Sequence, residues 1–369
     1  MTQSSPKSPG SSPPASSPPR QAATQPLVPP PAPDDLVTNA EAPLEADETT
    51  ATDDGRSIDD RISTYTESLA SSVVDYPTDH GRRYHAFRRG AYMMPNDNKE
   101  INRLDIAHAL VTRATGDKLY LAPIEEDKTH RILDVGTGTG VWAIDMGDLF
   151  PNAEIIGNDL SAIQPSWVPA NVKFEIDDVE SEWVGTEKYD YIFVRHMLIS
   201  ISDWPRLMKN IFNNLNPGGW VEFQDMDALY YSDDGSYKET HETWKWNKEL
   251  TDTCESIGRT ARPGPRLRGW VEETGFENIT HQRFKCPMGP WAKDPFYKDI
   301  GMLNLVQLLE GLEAFSLKVF CDVLGWTKEA TMVMLASVRN ELKENAFNGI
   351  FDHHVVYAQK PFTSEETEE

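Results

Sequence analysis

The chain has 369 residues, of which 39% are apolar, and its formal net charge is −24. This length and composition allow a substantial core, whereas the negative charge would repel phosphate backbones, so we expect no direct nucleic-acid binding. The first thirty residues lack an apolar stretch, and no run of about 18 apolar residues occurs, so we expect neither a signal peptide nor a membrane span.

The two ends of the chain differ in composition from its middle. Residues 1–60 join a Ser/Pro-rich stretch to an acidic one, and residues 362–369 are rich in Glu. Such segments bury too little apolar surface to fold, so we predict a disordered tail at each end. The longer tail is a candidate for partner binding or phosphorylation, although a solvating extension would have the same composition.

Residues 61–125 are predicted to form a helical cap. Apolar residues recur there at three- and four-residue spacing, first across residues 62–73 and again across residues 104–111. This spacing is typical of the buried face of a helix. We expect the cap to precede the main sheet.

Strands and helices alternate after the cap. In chain order, the pattern predicts strand 131–135, helix 141–149, strands 154–159, 172–176 and 189–195, helix 204–215 and strand 220–224. Such alternation predicts an α/β domain in which a parallel sheet carries helices on both faces.

The order of elements changes after Asp225. The pattern predicts helices 241–257 and 265–274, a strand 277–284, a helical block across 294–345 and a last strand near 352–358. The two late strands suit an antiparallel edge hairpin. The helices between them, about residues 286–345, would then form a lid inserted over the carboxyl ends of the parallel strands. The whole domain is expected to span residues 126–361.

The most informative motif is the turn after the first parallel strand, Asp134-Val-Gly136-Thr-Gly138-Thr-Gly140. Glycines let a ligand approach the backbone, the following helix offers unpaired N–H groups, and Asp134 could bond an ammonium group. A dinucleotide site would need G-x-G-x-x-G, but Val141 stands where the last glycine would be. A glycine-rich turn without a ligand is the remaining interpretation.

Acidic residues end the next two strands. Asp159 follows Gly140 by 19 positions, near the spacing at which a carboxylate bonds ribose hydroxyls, although a helix cap is an alternative role. Asp178 and Val179 end the third strand, where an acid could accept from an adenine amine while a neighbouring N–H reaches a ring nitrogen. Solvated acids would give the same pattern.

Taken in order, these motifs and the segment Leu215-Asn-Pro-Gly-Gly-Trp220 resemble those of class I methyltransferases. The cap segment 81–92, followed by Pro95-Asn-Asp97 and Glu100-x-x-Arg103-Leu-Asp105, resembles more specifically the fungal LaeA-like methyltransferases, over about residues 80–360. The resemblance implies a Rossmann-like α/β sheet, mostly parallel, with an antiparallel edge hairpin, the helical cap and the helical lid.

The resemblance also implies S-adenosylmethionine as the methyl donor. The residues that would hold it are Asp134, Gly136, Gly138, Gly140, Asp159, Asp178 and Val179, with Tyr92 and Arg103 in the cap that closes over it. The family is tied to fungal secondary metabolism and development, often with velvet-type regulatory proteins. We therefore expect a nuclear or cytoplasmic location.

Methyl transfer from a sulfonium is an in-line displacement, which requires alignment and exclusion of water but no metal and no covalent residue. The three cysteines are scattered and unpaired in the sequence, so we predict neither a disulfide framework nor a zinc site. A general base helps when the acceptor is an acidic hydroxyl or an amine. The candidates are His196 after the fourth strand and His85 and Tyr84 in the cap, each of which could instead be structural.

The methyl acceptor, a small molecule or a protein, stays open. The fourth strand continues into Arg195-His196-Met197 rather than Asn-Pro-Pro-Tyr or Asp-Pro-Pro-Tyr, so adenine or glutamine methylation is not expected. Five tryptophans could line an apolar acceptor pocket or belong to the core: Trp204, Trp244, Trp246, Trp270 and Trp291. The candidate functions are a methyltransferase acting on a natural product, a LaeA-like regulator that works through protein partners, and a non-catalytic scaffold.

Overall fold

The computed structural model describes residues 76–85, 87–88, 92–185 and 187–362. The predicted tail over residues 1–60, the start of the predicted cap and residues 363–369 lie outside the described residues.

The described part of the cap contains a short β-hairpin and one helix. β1 (Thr78–Asp79) pairs antiparallel with β2 (Arg82–Arg83), and α1 follows at Asn98–Ala114. The described residues before α1 are therefore a hairpin and a loop rather than a helix. The reason is local, because His80 and Gly81 adopt φ angles of 52° and 80° and reverse the chain.

α1 begins where the sequence supplies a cap. The Asp97 side chain accepts a hydrogen bond from the backbone N–H of Glu100 at 3.1 Å, which satisfies one of the free N–H groups of the first turn. The helix buries an apolar face that includes Ile106, Leu110 and Val111, and it packs against α6 (Pro295–Leu317). The cap is thus joined to the lid.

The main sheet of the described chain has seven strands, in the order β5-β4-β3-β6-β7-β9-β8. The parallel strands are β3 (Arg131–Val135), β4 (Glu154–Asp159), β5 (Val172–Ile176), β6 (Tyr189–Arg195) and β7 (Leu215–Tyr231). Their helices are α2 (Val141–Leu149) and α3 (Trp204–Asn214). The sheet confirms the predicted mostly parallel fold.

The second half of the chain completes the sheet and covers its carboxyl end. The remaining elements are α4 (Glu242–Ser256), α5 (Gly264–Thr274), β8 (Glu277–Pro287), a π-helical turn Lys318–Val323 that continues α6, α7 (Lys328–Lys343) and β9 (Ile350–Gln359). β9 runs antiparallel to both β7 and β8. The late strands therefore form the expected antiparallel pair, and β9 lies inside the sheet.

The core is layered on both sides of the sheet. On one side, the Trp142 ring of α2 stacks on Phe193 of β6, with centroids 3.9 Å apart. On the other side, Trp204 of α3 stacks on Trp270 of α5 at 5.0 Å. Among the described residues, 295–323 form a helix long and apolar enough to cross a membrane, but 78% of its most apolar window is buried in the fold. We therefore interpret this helix as the core of the lid.

Candidate active site

An open cleft of about 1110 Å³ lies at the carboxyl ends of β3, β4 and β6. Carboxyl ends of parallel strands meet at one edge of the sheet, and ligands of such sheets bind there. The sequence-predicted residues that line the cleft are Tyr92, Gly136, Gly138, Asp159, Asp178, Val179 and His196. The structure thus brings together residues from the cap, the glycine-rich turn and three strand ends.

The glycine-rich turn forms the floor of the cleft. Gly138 adopts φ 58°, which L side chains rarely adopt, and a Cβ built there would make an ordinary van der Waals contact with Leu104 Cδ1 at 3.6 Å. Gly140 has a different role, because a Cβ there would lie 2.4 Å from the Phe174 ring. Gly140 does not line the cleft; it lets α2 start close to β5.

Asp159 is held in place by the backbone on two sides. Its Oδ2 accepts from the N–H of Gly138 at 2.9 Å, and its Oδ1 accepts from the N–H of Ser161 at 2.9 Å. Burial raises the pKa of this carboxyl to about 6, and these N–H donors oppose the rise. At neutral pH the carboxylate is therefore ionised and faces the cleft as a fixed hydrogen-bond acceptor.

The charged residues that line the cleft are mostly acids. Glu100, Asp159, Asp177, Asp178 and Glu180 contribute to its walls. Arg195 is the arginine among the lining residues, and burial lowers its pKa to about 10. Such a surface favours a cationic ligand and opposes a pyrophosphate. The charge of the site therefore argues against the dinucleotide interpretation and fits an S-adenosyl compound.

A second cavity of about 900 Å³ adjoins the first and is lined mainly by apolar side chains. Its walls come from α1, the end of β7, α4 and the lid, and they include Leu110, Tyr230, Trp246, Leu308 and Phe351. An apolar pocket with a few polar groups suits a small organic ligand. Tyr92, Leu104 and His196 line both spaces, so the two cavities meet at these residues.

His196 lies at this junction in a conformation that the surrounding loop fixes. Its φ angle is 53°, its N–H donates to Gln224 O at 3.0 Å, and the next N–H, from Met197, donates to Asp225 at 2.7 Å. Burial and the neighbouring His353 ring, 5.8 Å away, hold the pKa of His196 well below its usual range. The imidazole is therefore neutral at physiological pH, and the same burial makes it a weaker base than an exposed histidine.

Besides Gly140, two predicted donor-site residues do not line the cleft. Asp134 is 3% exposed, and its Oδ2 accepts from the Thr137 hydroxyl at 2.6 Å, so it supports the glycine-rich turn from below. Arg103 lines the apolar cavity instead. Its guanidinium pairs with Glu100 at 2.7 Å and donates to Gln307 at 3.1 Å.

Tyr84 and His85, the other candidate bases, lie elsewhere. Both are buried beside a third cavity, together with Lys318 of the π-helical turn. The Lys318 ammonium lies 4.7 Å from the centre of the Tyr84 ring, and burial raises the pKa of the Tyr84 hydroxyl. Neither residue lines the cleft or the apolar cavity, so this placement does not support a role as general base.

Of the five tryptophans near the predicted lid, Trp246 lines the apolar cavity. It is 1% exposed, and its ring N–H donates to Ser316 at 2.8 Å. Trp204 and Trp270 stack on each other below the sheet, and Trp291 is buried in a small cluster with Ile350. The core interpretation therefore holds for these three.

Comparison with known proteins agrees with this geometry. A family model described as a methyltransferase domain matches residues 79–281. The methyltransferase pytC of Aspergillus terreus is 49% identical over 296 residues, which cover 80% of this chain and 91% of that protein. The chain belongs to this methyltransferase family. It is an S-adenosylmethionine-dependent methyltransferase, as the motifs predicted.

The LaeA-like resemblance is also confirmed. A secondary metabolism regulator of Cochliobolus heterostrophus is 37% identical over 292 residues, covering 77% of this chain and 94% of that protein. Another regulator, laeA of Monascus pilosus, is 35% identical over 314 residues, covering 82% of this chain and 84% of that protein. This methyltransferase therefore has relatives named as enzymes and relatives named as regulators.

The cleft residues that sequence reasoning missed include Glu100, His108 and Arg195. His108 Nδ1 lies 2.9 Å from the Arg195 guanidinium, and its Nε2 lies 3.3 Å from Asp145. A signal existed for the first two, because positions 100, 104 and 108 follow one face of α1. Arg195 directly precedes His196, so its position at a strand end was also informative.

Proposed function

We propose that the acid-lined cleft holds the methyl donor and that the adjoining apolar cavity holds a small acceptor molecule. The observation that carries this proposal is the shared wall, since Tyr92, Leu104 and His196 line both spaces. A donor and an acceptor placed in the two cavities would meet at these residues. Such alignment provides a large part of the acceleration of a bimolecular transfer.

The donor would be held by groups that are already in position. Gly138 lines the cleft without a side chain, and the ionised Asp159 offers an acceptor to ribose hydroxyls. Asp178 and Val179 line the end of the cleft, where an adenine would lie. When bound, S-adenosylmethionine supplies an electrophilic methyl group on a positively charged sulfur.

The acceptor would be largely apolar. Two polar side chains of its cavity are already engaged: Asn247 donates to Ala228 O at 2.6 Å, and Gln307 donates to Asn304 at 2.9 Å. Groups with satisfied hydrogen bonds leave little for a strongly polar ligand to bind. A flat or aromatic natural product with one hydroxyl or amine at the junction fits these walls.

His196 would act as the general base. Its neutral imidazole lies where the acceptor's hydroxyl or amine would face the donor, so it would take the proton released on methyl transfer. The test is transfer of a labelled methyl group to compounds of a metabolite extract, with products identified by mass spectrometry. We expect a labelled apolar product, and about 10²- to 10⁴-fold less of it with His196→Asn.

The matched measurement is binding of S-adenosylhomocysteine, which His196→Asn should change by no more than about twofold. Asn tolerates the left-handed backbone of position 196, so the loop should keep its shape. Labelled histones without any labelled metabolite would contradict the small acceptor. Tight donor binding with no labelled product from either source would favour a non-catalytic scaffold.

A second candidate is a regulator that works through protein partners. It is favoured by the relatives named as secondary metabolism regulators. In this case velvet-type proteins would be the partners, and the protein would occupy the nucleus as well as the cytoplasm. Recovery of velvet-domain proteins with the purified chain, undiminished by Asp159→Asn, would support this candidate over the enzyme.

A further inference from the structure

Glu100 lies in the first turn of α1, at the wall of the acid-lined cleft. Its side chain is 2% exposed. One carboxylate oxygen, Oε1, accepts from Arg103 Nε at 3.0 Å and from Nη2 at 2.7 Å. The other oxygen, Oε2, is buried and has no hydrogen-bond partner among the described residues.

Neighbouring carboxylates of the site do not share this state. Both oxygens of Asp97 receive bonds from the Arg82 guanidinium, at 2.5 Å and 2.8 Å. Both oxygens of Asp159 accept hydrogen bonds from backbone N–H groups. A buried carboxylate oxygen without a donor is costly, so a group that is part of the functional complex is expected to supply one.

The charges around Glu100 indicate what that group is. Arg103 pairs with Glu100, and Arg82 is the other cation that acts on it. Neither arginine lines the cleft, whereas Tyr92 and Asp159 do. The amino-acid end of an S-adenosyl compound carries a carboxylate, which these acids would repel, and an ammonium with three N–H donors. The ammonium matches the free oxygen in charge and in hydrogen-bonding capacity.

Asp134 is the residue that the sequence motif suggested for this task, but its Oδ2 already bonds Thr137 and it does not line the cleft. We propose that Glu100 Oε2 accepts a hydrogen bond from the α-ammonium of the donor's amino-acid end. This inference rests on the proposed donor site. It adds a binding residue from the cap, and the ligand group that the residue recognises.

The test compares two ligands that share the nucleoside. S-Adenosylhomocysteine carries the amino-acid end, and 5′-methylthioadenosine lacks it. Glu100→Gln replaces Oε2 by an amide without charge while an oxygen remains for Arg103. By calorimetry we expect this substitution to lower the affinity for S-adenosylhomocysteine about 10- to 100-fold, as for the loss of a hydrogen bond to a charged group. The affinity for 5′-methylthioadenosine should change by no more than about twofold.

Three outcomes would overturn the inference. An equal loss of affinity for both ligands would mean that Glu100 only supports the fold of the cap. A lower affinity for S-adenosylmethionine with an unchanged affinity for S-adenosylhomocysteine would place the contact at the sulfonium. If Asp134→Asn, but not Glu100→Gln, lowered the affinity for S-adenosylhomocysteine alone, Asp134 would be the residue that binds the ammonium.

If Glu100→Gln does not fold, the same contact can be tested with a modified ligand and the unaltered protein. The analogue of S-adenosylhomocysteine without its amine should bind the unaltered protein about 10- to 100-fold more weakly than the parent compound. Unchanged binding of this analogue would refute the contact. Failure of the unaltered protein to bind S-adenosylhomocysteine at all would instead refute the donor site, so the two failures are distinguishable. Glu125→Gln, at an exposed acid, is the matched control.

Discussion

The cleft and the apolar cavity are neighbours, but they are built in opposite ways. The cleft is formed by backbone turns and acids at consecutive strand ends, over residues 136–201 with a wall from the cap. The cavity is formed by side chains from elements spread between residues 92 and 351. Substitutions in the cleft are therefore expected to lower ligand affinity, whereas substitutions in the cavity wall are expected to lower the stability of the fold.

Trp246→Ala should cause the largest loss, and this loss should be in stability. The indole is 1% exposed and donates to Ser316, so its removal leaves a cavity and an unpaired hydroxyl in the lid. We expect the free energy of unfolding to fall by about 3–5 kcal/mol, as measured by urea denaturation. Trp167→Ala is the control, because this residue is 91% exposed and its loss should cost at most about 0.5 kcal/mol.

Asp159→Asn should affect binding more than stability. The amide lacks the charge that strengthens bonds from ribose hydroxyls, and its single oxygen can keep only one of the two backbone N–H bonds that the carboxylate now accepts. We expect the affinity for S-adenosylhomocysteine to fall about 10- to 100-fold, measured by calorimetry. A large fall in the melting temperature with unchanged affinity would show that the contrast between the sites is wrong.

The pH dependence of binding should follow the same carboxyl. Its pKa of about 6 in the free protein means that acidification protonates the group that the ligand needs ionised. Affinity for S-adenosylhomocysteine should therefore be constant above pH 7 and fall below pH 6, by up to roughly tenfold per pH unit. Asp159→Asn should remove this dependence.

Stability should respond in the opposite direction. The pKa of Asp159 is higher in the folded protein than its ordinary value of 3.8, so the folded state binds the proton more readily than the unfolded state. Between these two values, falling pH stabilises the fold through this group. A loss of binding at pH 5 that simply followed unfolding, monitored by circular dichroism, would refute the prediction.

Tyr84→Phe should have the smallest effect. The Tyr84 hydroxyl is buried without a hydrogen-bond partner among the described residues, and the residue lines neither of the two main spaces. Removing an unpaired buried hydroxyl should change stability by no more than about 0.5 kcal/mol. Methyl transfer should also be unchanged, in contrast to His196→Asn, and a loss of activity would restore Tyr84 as a candidate base.

The sequence predicted the parallel strands well because most of them are short apolar runs that end at a glycine or an acid. The predicted strand 131–135 and helix 141–149 have the bounds that the structure gives. The glycine-rich turn between them determines where the strand ends and where the helix begins. The hairpin at Thr78–Arg83 could not be predicted in the same way. Two-residue strands contain too few positions to show a period of two.

The site was predictable to the extent that it depends on chain order. Asp159 and Gly138 lie in the cleft because strand ends converge in any parallel sheet. The environment of Arg103 depends instead on the lid, whose Gln307 lies 204 positions away in sequence. Local pattern carries no information about such a contact. The same reason explains why the apolar cavity could be suggested but not delimited.

The position of β9 has a consequence for how the protein is made. β9 separates β7 from β8, so neither strand can pair on that side until residues 350–359 have left the ribosome. During synthesis the nascent chain would expose the open edge of β7 and the whole of β8. Exposed edges of this kind are templates for wrong pairing between chains. Chaperone demand should therefore peak just before translation of the described chain ends.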